Sequence, residues 1–301
     1  MAGNTKAIKS RIKSVKNTKK ITKAMEMVSA AKMRKAIDGA LRTRVYASLA
    51  GELLDRLSYL PQPGYALFAK RPVEKVLLIV VSSNKGLCGS FNANVFKKGT
   101  QVMQELTDSV HIDVIGIGKK SALFAKRNNL PLVAVFDDIS EQPEIEDILT
   151  IAKMAVSGFT TEKYDQVLML YTHFQSSLVQ QASVKQLLPV SQKTIQTLAH
   201  GGGLPIELRG AAPISIEHTY IEPNKEIIFE KIVPKLVDIQ LYQSILESAA
   251  SEHSARMVAM KNATEAAGDM ITNLSIAFNK ARQAAITQEI AEIAGGAAAL
   301  E

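Results

Sequence analysis

One segment of the sequence shares part of the phosphate-binding loop, the run GIGKKS at residues 116–121. The complete motif has a first glycine five residues before its second glycine, and a serine or threonine directly after its lysine. Asp113 and Lys120 occupy those two positions here. We therefore interpret the segment as a tight turn that leads into a helix. A nucleotide-binding enzyme is the weaker alternative.

The only cysteine, Cys88, lies in a second glycine-containing turn, GLCG at residues 86–89. A catalytic thiol needs a histidine base close by, and the five histidines are scattered at positions 111, 173, 200, 218 and 253. A single cysteine makes no internal disulfide and no cysteine-based metal site, and the histidine spacing does not match a zinc site on one helix. We expect Cys88 to be packed in its turn and His253 to be a packed or interface residue.

Four acidic residues between positions 141 and 147 are the remaining candidates for catalysis or cation binding. They lack the EF-hand spacing, and Pro143 interrupts them, so we expect a solvated loop and the start of a helix. The four residues are Glu141, Glu144, Glu146 and Asp147. The sequence therefore predicts no catalytic residue, no metal site and no bound cofactor.

The middle of the chain, residues 72–213, alternates short β-branched runs with helix-like stretches, a pattern typical of an α/β sheet. A polar turn at residues 175–177 predicts a hairpin that adds an antiparallel edge strand. The glycine-rich segment around Gly201–Gly203 is expected to return the chain flexibly to the C-terminal region. We predict a Rossmann-like α/β domain here. Its expected strands are residues 76–81, 110–117, 132–136, 167–171 and 179–190.

The two ends of the chain, residues 1–60 and 222–301, each predict a long helix. Apolar residues of the first helix recur three, four or six apart, which indicates one buried face. That face is Ile8, Ile12, Val15, Ile21, Met25 and Val28.

Residues of the second helix recur in steps of three and four, with a period of about 3.55 that lies between a straight helix and a coiled coil. This second stripe is Leu246, Ala249, His253, Met257, Met260, Ala263, Ala267, Ile271, Leu274, Phe278, Ala281 and Ala285. Two long helices on either side of one domain most simply pair as an antiparallel coiled coil. Pro234 is expected to be a bend or a first-turn residue of the second helix.

The positive charge of the chain is concentrated at its start. Residues 1–44 contain 13 Lys and Arg against only Glu26 and Asp38, a net charge of +11, whereas the whole chain carries +7. Such an arm suits an acidic partner, and a nucleic-acid-binding coiled-coil scaffold is the alternative interpretation. The first 45 residues contain no aromatic side chain that would stack on bases, which counts against that alternative.

Both ends of the sequence resemble the gamma subunits of F-type ATP synthases. The start carries ITKAMEMV at residues 21–28 and AKMRK at 31–35, and the end carries ARMVAMKNAT at 255–264 and NKARQAAITQEI at 279–290. The turn at residues 82–92 resembles the first turn of the central domain of that family. The resemblance is weak only between about residues 120 and 220.

The resemblance implies a rotor that catalyses nothing itself. Its coiled coil would stand in a ring of alpha and beta subunits, and its α/β domain would meet the epsilon subunit and the ring of c subunits. Met25 would lie near the same beta-subunit contact as a group of polar residues, and three isoleucines would form a tip that turns in an apolar sleeve. The polar group is Arg282, Gln283, Thr287 and Glu289, and the tip is Ile286, Ile290 and Ile293.

The expected location is the cytoplasmic face of a bacterial inner membrane, without a spanning segment. The longest apolar run, Val76–Val81, is far shorter than the roughly 20 residues that a membrane span needs. The plastid members of the family carry a regulatory cysteine pair, and one cysteine here implies that this switch is absent. The start of the chain continues directly into the first helix, so we expect no targeting extension.

Overall fold

The structure is a computed structural model that describes residues 2–58, 65–106, 109–139, 143–191 and 225–298. The chain forms two compact units. One unit combines Met1–Ala30 with Arg256–Glu301, and the other is Ala31–Ala255. The predicted Gly201–Gly203 segment and the predicted boundaries at residues 60, 213, 222 and 301 lie outside the described residues.

The larger unit is built on a five-stranded sheet in the order β3-β2-β1-β4-β5. Neighbouring strands are parallel from β3 to β4, and β5 runs antiparallel to β4, which confirms the predicted hairpin edge. The strands are β1 Lys75–Val81, β2 His111–Ile117, β3 Leu132–Phe136, β4 Gln166–Phe174 and β5 Gln180–Leu188. The helices that follow the first three strands are α2 Phe91–Glu105, α3 Ser121–Arg127 and α4 Ile145–Thr160.

The central strand β1 is buried on both faces of the sheet, as its unbroken apolar sequence predicts. Alternate residues belong to two separate cores, because successive side chains of a strand point to opposite faces. Leu77 and Ile79 pack in the core that holds α4 and the residues around Leu236, whereas Leu78 and Val80 pack in the core that holds α2 and α3. Each fully buried side chain of this kind stabilises the fold by about 1.5–3 kcal/mol.

The smaller unit is a pair of helical segments. It takes residues up to Ala30 from α1 (Ala2–Ser58) and residues from Arg256 onward from α5 (Lys225–Ala298). The Thr264 hydroxyl lies 2.8 Å from the Thr22 hydroxyl, and a Cβ on Gly268 would lie 3.0 Å from Lys19 Nζ. Because the residue numbers rise on one segment as they fall on the other, the pair is antiparallel, as predicted.

The buried face of α1 differs from the predicted one. Ile8, Ile12 and Val15 are partly buried as expected, but Ile21 and Val28 are 59% and 54% exposed. Their places in the seam are taken by Thr22 and Ser29, which are buried. The prediction was wrong here because it followed apolar residues only, whereas the seven-residue spacing from position 8 through 15 and 22 to 29 continues through two hydroxyl side chains.

The predicted stripe of α5 is confirmed, since every one of its residues from Leu246 to Ala285 is buried or partly buried. Pro234 lies inside α5, nine residues after Lys225, so the prediction of a first-turn position was wrong. Its missing backbone donor is therefore in the helix interior, where proline removes one hydrogen bond of the helix.

Candidate functional site

The GIGKKS segment is a closed turn whose backbone donors already have protein acceptors. Lys119 N donates to Asn84 Oδ1 at 2.9 Å, Lys120 N donates to the Ser83 carbonyl at 3.2 Å, and Ser121 N donates to the Gly118 carbonyl at 3.2 Å. Gly118 has a φ of +85°, and a Cβ at this position would overlap the Ser82 carbonyl. The glycine is needed for this close approach, and the predicted tight turn is confirmed.

Asp113, which stands where a phosphate-binding loop has its first glycine, has a structural role. Its carboxylate accepts a hydrogen bond from the Tyr164 hydroxyl at 2.8 Å and lies 3.2 Å from His111 Nε2. Burial raises the pKa of Tyr164, so the phenol stays protonated and able to donate. The residue therefore joins β2 to the start of β4.

Cys88 is buried in the turn between β1 and α2, as predicted. Its sulfur lies 3.8 Å from Ser83 Oγ and accepts a hydrogen bond from Asn92 Nδ2 at 3.4 Å. Asn92 also donates to Ser83 Oγ at 2.7 Å. These contacts hold the turn together, and Leu87 within it adopts a φ of +62°. Within the described residues, the thiol's hydrogen-bond partners are Ser83, the Lys85 carbonyl and Asn92, none of which is a histidine base.

In sheets of this topology, nucleotides bind at the carboxyl ends of the strands where the strand order reverses, which is between β1 and β4 here. A cavity of about 50 Å³ lies nearby, at the carboxyl ends of β1 and β2, and is lined by Ile245, Ser248 and His253 of α5. Pockets for small-molecule ligands are usually about 300–1,000 Å³. This cavity is smaller than such a pocket. His253 is 2% exposed, as expected for a packed residue.

The acidic residues that follow β3 begin α4, as predicted. Glu144 and Asp147 form a capping box at the helix start, with Glu144 N donating to Asp147 Oδ2 at 2.9 Å. Glu141 lies outside the described residues. Within the part of the chain that the structure describes, no group of three His, Cys, Asp or Glu side chains is placed to hold a metal ion.

The helix pair of the smaller unit carries the predicted contact residues on its surface. The polar group Arg282, Gln283, Thr287 and Glu289 is exposed, and the tip residues Ile286, Ile290 and Ile293 are 47%, 62% and 73% exposed. An apolar surface of this kind on a helix end is what a sleeve formed by other subunits would cover.

Met25 does not lie beside that polar group. Since Thr22 faces Thr264 and Lys19 is next to Gly268, Met25 lies opposite residues near Lys261. Arg282 is about 20 residues further along α5, a distance of about 30 Å in a helix. The expectation that Met25 shares one contact with Arg282 was therefore wrong. The sequence of each helix alone does not give the pairing register.

Most basic side chains of the arm are exposed, including Lys6, Lys9, Arg11 and Lys13. Lys23 forms an ion pair with Glu26 at 2.9 Å on the same helix. The arm is thus a charged outer surface of the helix pair. None of the described helices is long and apolar enough to cross a membrane.

The described residues thus combine an antiparallel helix pair with an α/β unit built on a five-stranded sheet. The model of a protein family described as ATP synthase matches residues 4–300. The chain is 41% identical over 302 residues to the ATP synthase gamma chain of Chloroflexus aurantiacus, with 99% of each chain covered. It is 42% identical over 303 residues to that of Roseiflexus castenholzii, covering 99% of this chain and 98% of the relative.

The chain therefore belongs to the ATP synthase family, and within it to the gamma chains. Solved structures agree at the level of the fold. A chain of the Euglena gracilis mitochondrial ATP synthase, in a structure of its OSCP, F1 and c-ring, is 19% identical with a TM-score of 0.65 and covers 100% of this chain and 95% of that chain. A chain in a structure of the central stalk and c-ring of the Tetrahymena thermophila mitochondrial ATP synthase is 24% identical, with a TM-score of 0.58. The match covers 81% of this chain and 99% of that chain.

Proposed function

We propose that this chain is the rotor subunit in the central stalk of an F-type ATP synthase. Its rotation couples ion flow through the membrane sector to ATP synthesis in the alpha/beta ring, and it regulates ATPase activity. The observation that carries this proposal is the uncovered apolar surface of the helix pair, because such a surface needs surrounding subunits. The exposed apolar residues on it are Ile21, Met27, Val28, Met270 and Ile276.

The proposed partners are the alpha and beta subunits around the helix pair, and the epsilon subunit and c-ring at the α/β unit. Arg282, Gln283, Thr287 and Glu289 would contact a beta-subunit loop, and Ile286, Ile290 and Ile293 would turn in the sleeve of the ring. Met25 would meet the beta subunits at a separate level, about 30 Å along the helix pair. The chain itself would supply neither catalytic residue nor cofactor.

A long pair of helices is suited to carry the torque of a rotor. Each elementary charge that crosses the membrane releases about 2.3 kcal/mol per 100 mV, which is comparable to the burial energy of one core side chain. A seam of many partly buried residues along α5 therefore withstands the stepwise torque without melting. We propose functional divisions at residues 1–60, 72–213 and 222–301, and a peripheral position on the cytoplasmic side of a bacterial inner membrane.

Co-purification tests the proposal. A tagged chain expressed with its neighbouring subunits should retain alpha, beta and epsilon, and the purified complex in vesicles should pump ions when ATP is added. A chain that left the alpha/beta ring unbound would contradict the proposal. Calorimetry with ATP and the isolated chain should show no binding, because the cavity at the carboxyl ends of β1 and β2 is only about 50 Å³.

The alternative of a nucleic-acid scaffold predicts a different result. Contacts between the exposed Lys and Arg of the arm and phosphates would give duplex binding that weakens steeply with salt. We expect only weak, non-specific binding. Nanomolar duplex binding by a chain that does not assemble with alpha and beta would favour the alternative.

A further inference from the structure

Helix α5 lies on the sheet of the larger unit through two stretches of different chemistry. The first stretch is apolar and belongs to the core shared with β1, β4 and α4; it comprises Val233, Leu236, Val237, Leu241 and Ile245. The second stretch, residues 247–254, is mostly polar although it is largely buried; it includes Glu247, Ser248, Ser251, His253 and Ser254. This apolar stripe determines which face of the helix lies on the sheet, but it makes no directional bond to the sheet.

The second stretch begins with a carboxylate that is fixed from two sides. Glu247 Oε2 lies 2.7 Å from Nδ1 of His173 on β4, and Glu247 Oε1 accepts a hydrogen bond from Gln243 Nε2 at 3.2 Å. The Glu247 side chain is 6% exposed, whereas that of His173 is 38% exposed. Hydrogen bonds that involve a charged group are shorter and stronger than neutral ones.

Lys185 on β5 lies within electrostatic range of the same carboxylate. Burial lowers the pKa of Lys185, and the negative charge of Glu247 opposes that shift. The direct contact of Glu247 with the sheet is its hydrogen bond to His173. Removal of the acid would take this partner from His173.

Two serines of α5 extend the contact along the hairpin. Ser251 Oγ donates to the Thr172 carbonyl at 3.4 Å, and Ser254 Oγ donates to the Ser177 carbonyl at 2.5 Å. Gln180 Nε2 donates to Ser254 Oγ at 3.4 Å. The helix is therefore bonded to β4, to the turn and to the first residue of β5. Hydrogen bonds require alignment of donor and acceptor, so this stretch opposes both sliding and rotation of the helix.

We propose that the β4–β5 hairpin is a clasp that locks α5 against rotation on the sheet, and that Glu247 is its positioning residue. The clasp consists of the hairpin residues Thr172, His173, Ser177 and Gln180 with Glu247, Ser251 and Ser254 of α5. It is the last stretch of α5 before residue 256, where the helix joins the other compact unit. Torque that enters through the α/β unit passes to the helix at this clasp. The inference rests on the proposed rotor function.

The test uses the assembled complex with Glu247→Gln, which keeps the side-chain shape but removes the charge. Hydrogen exchange of amides at residues 172–182 should become about tenfold faster, because a charged hydrogen bond is lost. ATP-driven ion pumping per ATP hydrolysed should fall while ATPase activity persists. His173→Gln is the second variant, and its side chain is more exposed, so assembly is less at risk. The matched control is Glu105→Gln, a change to an exposed carboxylate at the end of α2.

Equal exchange and equal pumping in Glu247→Gln, His173→Gln and Glu105→Gln complexes would overturn the clasp. Lower thermal stability with an unchanged ratio of pumping to hydrolysis would also overturn it, because that result means a purely structural contact. Failure of the proposed function is seen separately, since the wild-type chain would then neither assemble with alpha and beta subunits nor support pumping.

Discussion

The hydroxyl oxygens of Thr22 and Thr264 lie 2.8 Å apart and join the two segments of the helix pair across 242 residues of sequence. Thr22 is 9% exposed, and each hydroxyl also lies within hydrogen-bond distance of a carbonyl of its own helix, Lys19 or Met260. A polar pair in the seam favours one register of a coiled coil, because any shift separates the two hydroxyls and leaves each with only the carbonyl of its own helix.

Replacing one threonine of this pair should cost more than replacing both. Thr22→Val keeps the shape but leaves the Thr264 hydroxyl with a lost partner, so we expect a loss of about 1 kcal/mol in the free energy of unfolding. The double variant Thr22→Val/Thr264→Val should be close to wild type, because neither buried group is then left unpaired. Urea unfolding of the full chain, monitored by the circular dichroism signal of its helices, measures the free energy of unfolding of the single and the double variant. A double variant as unstable as the sum of the single ones would contradict the pairing.

A methyl group at Gly99 should overpack one core of the sheet. A Cβ at this position on α2 would lie 2.7 Å from Leu170 Cδ2 and 2.7 Å from Phe124 Cζ. We expect Gly99→Ala to destabilise the chain by about 1–3 kcal/mol. Gly86→Ala is the matched control, because a Cβ there has no atom within 4 Å. Similar melting temperatures for the two variants would show that the core around Gly99 is loosely packed.

The shifted pKa of Asp238 predicts the direction in which the free energy of unfolding changes with pH. Burial on α5 raises its pKa above the ordinary value of 3.8, although Lys235 and Lys153 partly oppose the shift. The folded state then binds the proton more tightly than the unfolded state, so stability falls as pH rises from about 3.8 through the folded pKa. Asp238→Asn should therefore gain stability relative to wild type at neutral pH and lose that gain in acid. Urea titrations at a series of pH values test this, and a difference that is independent of pH would contradict it.

A substitution at Arg282 can test the proposed beta-subunit contact without destabilising the fold. Arg282 is exposed on α5, and exposed substitutions usually change stability by less than about 0.5 kcal/mol. We expect Arg282→Ala to leave the melting temperature unchanged but to reduce ATP synthesis by the complex under an ion gradient. Arg127→Ala, at the exposed end of α3, should affect neither measurement. Normal ATP synthesis by the Arg282→Ala complex would show that the beta-subunit contact is assigned wrongly.

The elements that the sequence predicted correctly are those in which one chemical pattern is repeated locally. The run from Val76 to Val81 is apolar and rich in β-branched residues, so it predicted a strand, and the structure covers that strand on both faces. The stripe of α5 has apolar or small residues at nearly all of its positions, and the structure buries it as predicted. The face of α1 was predicted less well because Thr22 and Ser29 complete its spacing with polar groups.

These local patterns do not predict which residues of distant segments contact each other. The position of Met25 along the helix pair depends on which residues of α5 it faces. The sequences of the two helices allow many pairing registers. The pair of His173 and Glu247 was likewise hidden, because each residue looks unremarkable within its own strand or helix. The buried position of Glu247, opposite a histidine, is visible only after the sheet has formed.

The antiparallel pairing of the two chain ends has a consequence for biosynthesis. The segment up to Ala30 leaves the ribosome before residues 31–255, and its partner from Arg256 onward leaves it after them. At about 5–20 residues per second, the amino-terminal segment waits roughly 12–50 s before Thr264 can reach Thr22. The unit formed by residues 31–255 has its own internal contacts and can fold during that interval. The helix pair that we propose as the shaft is thus completed after the unit of residues 31–255, and until then the seam of its first segment is open to chaperones or to the subunits that will surround it.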